Sequence, residues 1–309
     1  MVDVTVRHEV DPDYIGRRVN SAHRLVARSF ELDAVWNSGR INTLMTELRD
    51  LCALSLVSSG GVTDEVWWAL DGAATAALAQ FERASFPRAS RRLFYTIGGH
   101  EVATGTTGPG NMYTTASDWL NALWLGLVAR DSRLLEVLRD FEVEWMVAAE
   151  DSGQSVDAFV LEWVRAWQML LRGERGEVVA RQVVRVMELT DPEVLRVAPA
   201  EVVLQLAWPS VRLLWDVVAG DGGSFAGDVR VALEGNKEFF TRPVEDRVRD
   251  PYGYLPWEVL GTVCAGVDSG FEVGVVSEYL PEGLLFDRRG RASIDGWGRG
   301  GVSGSGFGG

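Results

Sequence analysis

The sequence predicts an all-α fold in which antiparallel helical hairpins form one large helical domain with a small β-hairpin inserted. Three observations carry that expectation. Apolar residues recur at i, i+3 and i+4 along about ten segments. Thr, Asp and Gly stand at the ends of those segments, where helix caps are found. One stretch alone, around Gly98-Gly99, breaks the helical period in favour of two short β-prone runs.

In chain order, Asp11 to Trp36 places Ile15, Val19, Leu25, Val26, Phe30 and Leu32 at helical spacing. Ile41 to Val57 repeats the pattern with Leu44, Leu48, Leu51 and Leu54, so the two form a hairpin joined near Ser38-Gly39. A third helix starts after Gly60-Gly61 with Thr63 as its N-cap and runs through Trp67, Trp68, Leu70, Ala74, Leu78 and Phe81 toward Pro87. Leu93-Phe-Tyr-Thr-Ile and His100-Glu-Val-Ala-Thr flank a two-glycine turn, the signature of a β-hairpin. Thr104 to Asn111, with three glycines and Pro109, reads as a loop.

Thr115-Ala-Ser-Asp118 fits a capping box that opens a helix through Trp119, Leu123, Trp124 and Leu127. Leu134 to Ala149 reads as its single antiparallel partner, followed by Val156 to Leu171 and Glu177 to Leu189. Thr190-Asp-Pro-Glu193 places Pro192 in a first helical turn, capped by Thr190 or Asp191. Pro209 inside the pattern from Pro199 to Ala219 predicts a kink, or two helices meeting at Trp208. Asp228 to Phe240 and Trp257 to Val267 are the last helices, separated by a polar, proline-bearing loop. Residues 1–287 thus read as one domain. The last 22 residues contain nine glycines and are expected to form a disordered tail, residues 288–309.

Charge narrows the function. The chain carries a formal net charge of -14; the tail's four Arg and one Asp make it +3, which leaves -17 on residues 1–287. Such a body repels phosphate, so nucleic acid is not an expected partner. It attracts basic proteins instead. Cys52 and Cys264 are the only cysteines, which fits a reducing cytoplasm. The N-terminus lacks the basic-then-apolar pattern of a secretory signal, and no apolar run approaches a membrane span, so a cytoplasmic location is expected.

The residues offer little for catalysis. His8, His23 and His100 are scattered, with no second ligand one helical turn away, so no metal is expected. No nucleophile elbow occurs. Gly296-Trp-Gly298-Arg-Gly-Gly301 matches a dinucleotide fingerprint by letter, but it follows no strand and opens no helix, so no cofactor follows from it. Glu142, Glu144, Glu150, Asp151 and Asp157 form the densest acidic run away from basic neighbours. The run reads as a solvated helix face or as a docking surface for a basic protein. Most of the 12 tryptophans fit a packed core. Trp67 and Trp68 are the best candidates for exposed anchors, because adjacent helical residues diverge by about 100°. Partner binding is therefore expected at Glu142, Glu144, Glu150, Asp151, Trp67 and Trp68.

Four segments in order carry a family resemblance: Asp118-Trp-Leu-Asn-Ala-Leu-Trp-Leu-Gly-Leu-Val-Ala-Arg-Asp131, Asp157-Ala-Phe-Val-Leu-Glu-Trp-Val-Arg-Ala-Trp-Gln168, Thr190-Asp-Pro-Glu193 and Ser277-Glu-Tyr-Leu-Pro281. They resemble the immunity protein 49 family over residues 115 to 285. The resemblance implies a bacterial, cytoplasmic, mostly helical protein without catalysis that binds and neutralises a cognate polymorphic toxin, and the chain's own acidity adds the expectation that it does so by covering a basic toxin surface. Two departures stand out. Asn236-Lys-Glu-Phe-Phe240 lies where the family tends to have His-Lys before aromatics, and Trp208-Pro209-Ser replaces a doubled proline. Competing readings are a helical scaffold or regulatory module without a toxin, and an enzyme built on buried carboxylates in a cleft.

Overall fold

Small residues on one helix face decide how the N-terminal half is built. In the computed structural model, which describes residues 3–31, 36–150, 156–243 and 246–287, α1 (Pro12–Glu31) leads to the hairpin of α2 (Ser38–Ser59) and α3 (Asp64–Ala84). α3 presents Ala69, Ala73, Ala76 and Ala77 to the interior, and α2 fills the space above them with Leu44, Leu48 and Leu51, all sealed from water. Thr63 caps α3 as expected, accepting from the Val66 N–H. α2 begins at Ser38 under an Asn37 cap, so the α1–α2 junction lies just before the expected Ser38-Gly39 joint.

The β-hairpin is present as β2 (Arg92–Ile97) and β3 (His100–Gly105), antiparallel, with Ile97 opposite His100. Gly98 and Gly99 take positive φ of 57° and 84°, which a two-residue hairpin turn requires and side chains oppose. Tyr95, Ile97 and Val102 point inward, while Phe94 faces solvent. The Arg83 guanidinium of α3 donates to Gly105 O at 3.1 Å and so fastens the hairpin to the helix.

The capping box at Thr115 and Asp118 opens α4 (Ala116–Ala129). The expected single partner from Leu134 to Ala149 is two helices, α5 (Ser132–Asp140) and α6 (Val143–Glu150). The break has a chemical cause. The Leu138 carbonyl accepts from Trp119 Nε1 at 3.0 Å, and Gln168 Nε2 donates to both Leu138 O and Phe141 O, so other helices occupy the acceptors that a continuous α5 would use. Phe141 adopts an extended backbone there and sets its ring edge-on against Phe81 and Trp145.

α7 (Ala158–Leu171) and α8 (Glu177–Leu189) follow closely as read. Thr190-Asp-Pro-Glu193 does not open a helix. Asp191 closes one turn by accepting from the Glu193 and Val194 N–H groups, and the chain then runs irregularly. Asp157 explains why: its carboxylate accepts from the backbone N–H groups of Arg196, Val197 and Ala198. Asp157 is thereby removed from the acidic run assigned to it by sequence position. Burial works against its charge, yet the N–H groups of Ala198, Arg196 and Val197 hold its pKa below the usual carboxylate range.

Pro209 is accommodated without a separate helix. α9 (Ala200–Val202) passes through a wide turn at Val203–Ala207, with i to i+5 bonding, into α10 (Trp208–Ala219). The widened turn leaves room for the proline ring and pushes the Gln205 carbonyl against α11 (Gly222–Thr241), where a Cβ on Gly235 would lie 2.8 Å from that oxygen. By length and composition alone the run Ala200–Ala219 could cross a membrane; here it packs against α8, α11 and α12 (Trp257–Asp268).

The chain closes on itself across 272 residues. β1 (Asp3–Thr5) pairs in parallel with β4 (Val275–Ser277), a contact between distant segments that no local pattern announces. Ser277 Oγ donates to Thr5 O at 2.6 Å, and the His8 and Tyr279 side chains meet at 2.8 Å. Of the departing segment, Asn236 donates to Gly253 O and Lys237 to Val6 O, so both serve this closure. α13 (Glu282–Phe286) ends the described chain. The expected tail lies outside the described residues.

Arg130 joins α4, α12 and α13. Its guanidinium donates to Leu284 O at 2.7 Å and Leu285 O at 2.8 Å, reaches Cys264 Sγ at 3.2 Å and lies 3.4 Å from the Asp268 carboxylate. Arg130→Met would remove the guanidinium that faces the buried Asp268 carboxylate and donates to two carbonyls, so a loss of about 3–5 kcal/mol is expected. Urea unfolding followed by circular dichroism measures it; a loss below about 1 kcal/mol would show the cluster is not a structural hub.

Candidate functional site

Burial settles the tryptophan candidates first. Trp67 is 4% exposed and part of the core. Trp68 is half-buried, stacked on His23 and lying directly beneath the turn at Gly98. Trp67 therefore presents no ring to a partner, and Trp68 supports the hairpin tip instead. The divergence of adjacent helical positions is real, but a second layer covers both directions.

The acidic candidates behave differently from one another. Glu142 and Glu144 are exposed at the start of α6, where negative charge also suits the helix N-terminus. Glu150 turns toward α4, its carboxylate 3.4 Å from the Ala116 N–H. Asp151 lies outside the described residues. Beside Glu142 and Glu144, a shallow depression of about 360 Å³ is lined by Glu82, Glu136, Asp140, Arg139, Val137 and Trp145. Arg139 donates to Asp140 and holds its pKa below the usual range. The α5–α6 face is thus acidic on balance but partly neutralised.

A second surface escaped the sequence reading. Phe271, Val273, Val275, Leu280, Leu285 and Phe286 line a groove of about 580 Å³ between β4 and α13. Its charged lining is Glu272, Glu278 and Glu282. Nearby, Val4, Val6, Val276 and Phe286 are each more than half exposed. In sequence these are isolated apolar residues at opposite ends of the chain; only the parallel pairing of β1 with β4 gathers them.

Buried carboxylates do converge, at the α10–α11 hairpin. Asp216 is sealed from solvent, accepts from Ser224 Oγ at 2.9 Å and meets Asp228, which in turn accepts from Arg212 Nε at 2.8 Å. Burial first, and the hydrogen bond with Asp228 second, push the Asp216 pKa up to about 7. Asp216 is the buried member of the pair, while Asp228 is 22% exposed and carries the ion pair with Arg212. Among the described residues no three His, Cys, Asp or Glu converge as a metal site. Burial also pushes the Cys264 thiol up to about 11, so it is no ready nucleophile.

What the fold and surface define together is a helical protein with an acidic face on α5–α6 and an apolar groove beside β4. Its family follows from comparison: the model of the family described as Immunity protein 49 matches residues 61–284, and the chain belongs to that family. The match takes in α3 through α12 and the first residues of α13, with the α5–α6 face and all of the groove but Leu285 and Phe286, and leaves out β1, α1 and α2. No curated protein and no solved structure shows significant similarity to the chain.

The Asp216 proton gives a pH test. Its folded pKa lies above the unfolded value of about 3.9, so the folded state binds the extra proton between about pH 4 and pH 7. Stability should fall as pH rises through that window and level off above it. Asp216→Asn should flatten this slope in urea melts at pH 5, 6 and 8; an unchanged slope would mean that the pair shares no proton.

Proposed function

We propose that the protein is the cytoplasmic antidote of a polymorphic toxin, binding its cognate toxin one to one and neutralising it without catalysis. Family membership over residues 61–284 is the observation that carries this reading. The charge of -17 on residues 1–287 supports a partner with a basic surface, because complementary potentials speed encounter and favour the right partner. An acidic body that covers a basic active site would block a toxin acting on nucleic acids or nucleotides. Glu142 and Glu144, exposed on α6, would contribute to the long-range field.

Co-expression tests the reading. The toxin domain encoded beside the gene is induced in a test host with and without this protein, and survivors are counted. Rescue by several orders of magnitude with copurification of the pair is expected; no rescue from an active toxin by the folded protein would transfer the case to a scaffold role. A second measurement addresses the field. Reversing Glu142 and Glu144 to Arg should slow association several-fold at low salt, with the difference lost near 0.5 M salt, where the screening length is only about 4 Å. An equal effect at both salt concentrations would assign these side chains to direct contact.

A further inference from the structure

We infer that the groove along the free edge of β4 is where an extended segment of the toxin docks, a segment of alternating apolar and basic residues that adds a strand to the β1–β4 sheet. The inference rests on the toxin-binding reading above and names the surface that reading requires.

The backbone supplies the first argument. β4 is hydrogen-bonded along one side by β1, with Val4 opposite Val276, and no third strand pairs with it among the described residues. The groove's lining includes no residue of β1, whereas α13 supplies the opposite wall, so the groove follows the edge that β1 leaves open. Unpaired strand edges are usually protected by lysine, proline or a bulge. Here the edge is the three-residue Val275-Val-Ser277, short as protected edges are, but it lies between Glu272 and Glu278 and carries no lysine or proline.

Side chains supply the second. The seven apolar side chains lining the groove, Val276 and Phe286 among them, and the exposed Val4 offer one apolar surface to a visitor's alternate side chains. The groove's charged lining is three glutamates, of which Glu278 already accepts from the Arg7 N–H at 2.9 Å while Glu272 and Glu282 stand exposed. An acidic visitor would be repelled and a purely apolar one would leave Glu272 and Glu282 uncompensated, so charge selects a segment carrying Arg or Lys. From Glu272 to Glu278 the edge suits about six residues at roughly 3.3 Å each.

Rigidity supplies the third. α13 is fixed by the Arg130 bonds to Leu284 O and Leu285 O, and β4 by the Ser277 bond to Thr5 and the His8–Tyr279 contact beside it. Both walls stand before a partner arrives, which lowers the entropy cost of binding.

The full chain is titrated with a fluorescent hexapeptide of alternating valine and arginine and with its valine–glutamate counterpart. Amide exchange on the wild-type chain reports where the peptide sits, and competition with the neighbour-encoded toxin reports whether the site is shared. The arginine peptide should bind at least tenfold tighter than the glutamate one, protect amides of residues 273–277 and displace the toxin. The doubly substituted chain Glu272→Arg, Glu282→Arg should lose at least tenfold in affinity for both peptide and toxin with an unchanged thermal melt. Equal binding of the two peptides, protection elsewhere, or an unchanged affinity in the charge-reversed chain would overturn the inference. Peptide bound in the groove without competition overturns the toxin assignment while the antidote function stands; a wild-type chain that binds peptide but no toxin overturns that function and the assignment with it. Tighter peptide binding by a chain ending at Asp287 would make residues 288–309 the occupant and likewise overturn it.

Discussion

A single buried cation holds the C-terminal half in place. Arg130 ends α4 with a left-handed backbone (φ 51°), and its guanidinium then spans the gap to α12 and α13. Burial disfavours its charge, but the Cys264 sulfur and the Asp268 carboxylate outweigh that, and its pKa stays above the ordinary value. With both partners 2% exposed, neither charge can turn to water. The helices must therefore converge at this point, and α13, the wall of the β4 groove, is placed as a consequence.

The family match and the physical core do not coincide. α3 lies within the matched residues, yet its alanine face is covered by α2, which lies outside them. β4 is inside the match and its partner β1 outside. Residues before 61 are thus integral to the fold. An N-terminal region can vary in sequence while the demand for an apolar cover on α3 persists, because that demand is met by shape and size rather than by particular side chains.

Charge and apolar contact are spread differently over the molecule, although both meet in the β4 groove. The acidity is a property of the whole body and acts over a screening length of about 8 Å at physiological salt. The apolar surface is concentrated where the two chain ends meet. The Asp216–Asp228 pair belongs to neither: it joins α10 to α11, and burial raises the Asp216 pKa.

Local chemistry by itself determined most of the helices. The period of the apolar residues, the Thr63 cap, the Thr115–Asp118 box and the Gly98-Gly99 turn are set by neighbours within a few positions, and they stand where the sequence places them. The four motifs read in order likewise point to the family that the comparison shows. Tertiary structure decided the rest. The division of α5 from α6 depends on Trp119 and Gln168 taking carbonyls from another helix. The irregular chain after Thr190 depends on Asp157, about 40 residues away. Trp67 and Trp68 diverge as adjacent helical residues must, but whether a second layer lies over each direction is a matter of packing. The β1–β4 pairing, and with it the groove, required two segments 272 residues apart to meet. Each of these rests on a contact between distant segments, which periodicity and capping cannot encode because they describe only a residue's immediate neighbours along the chain.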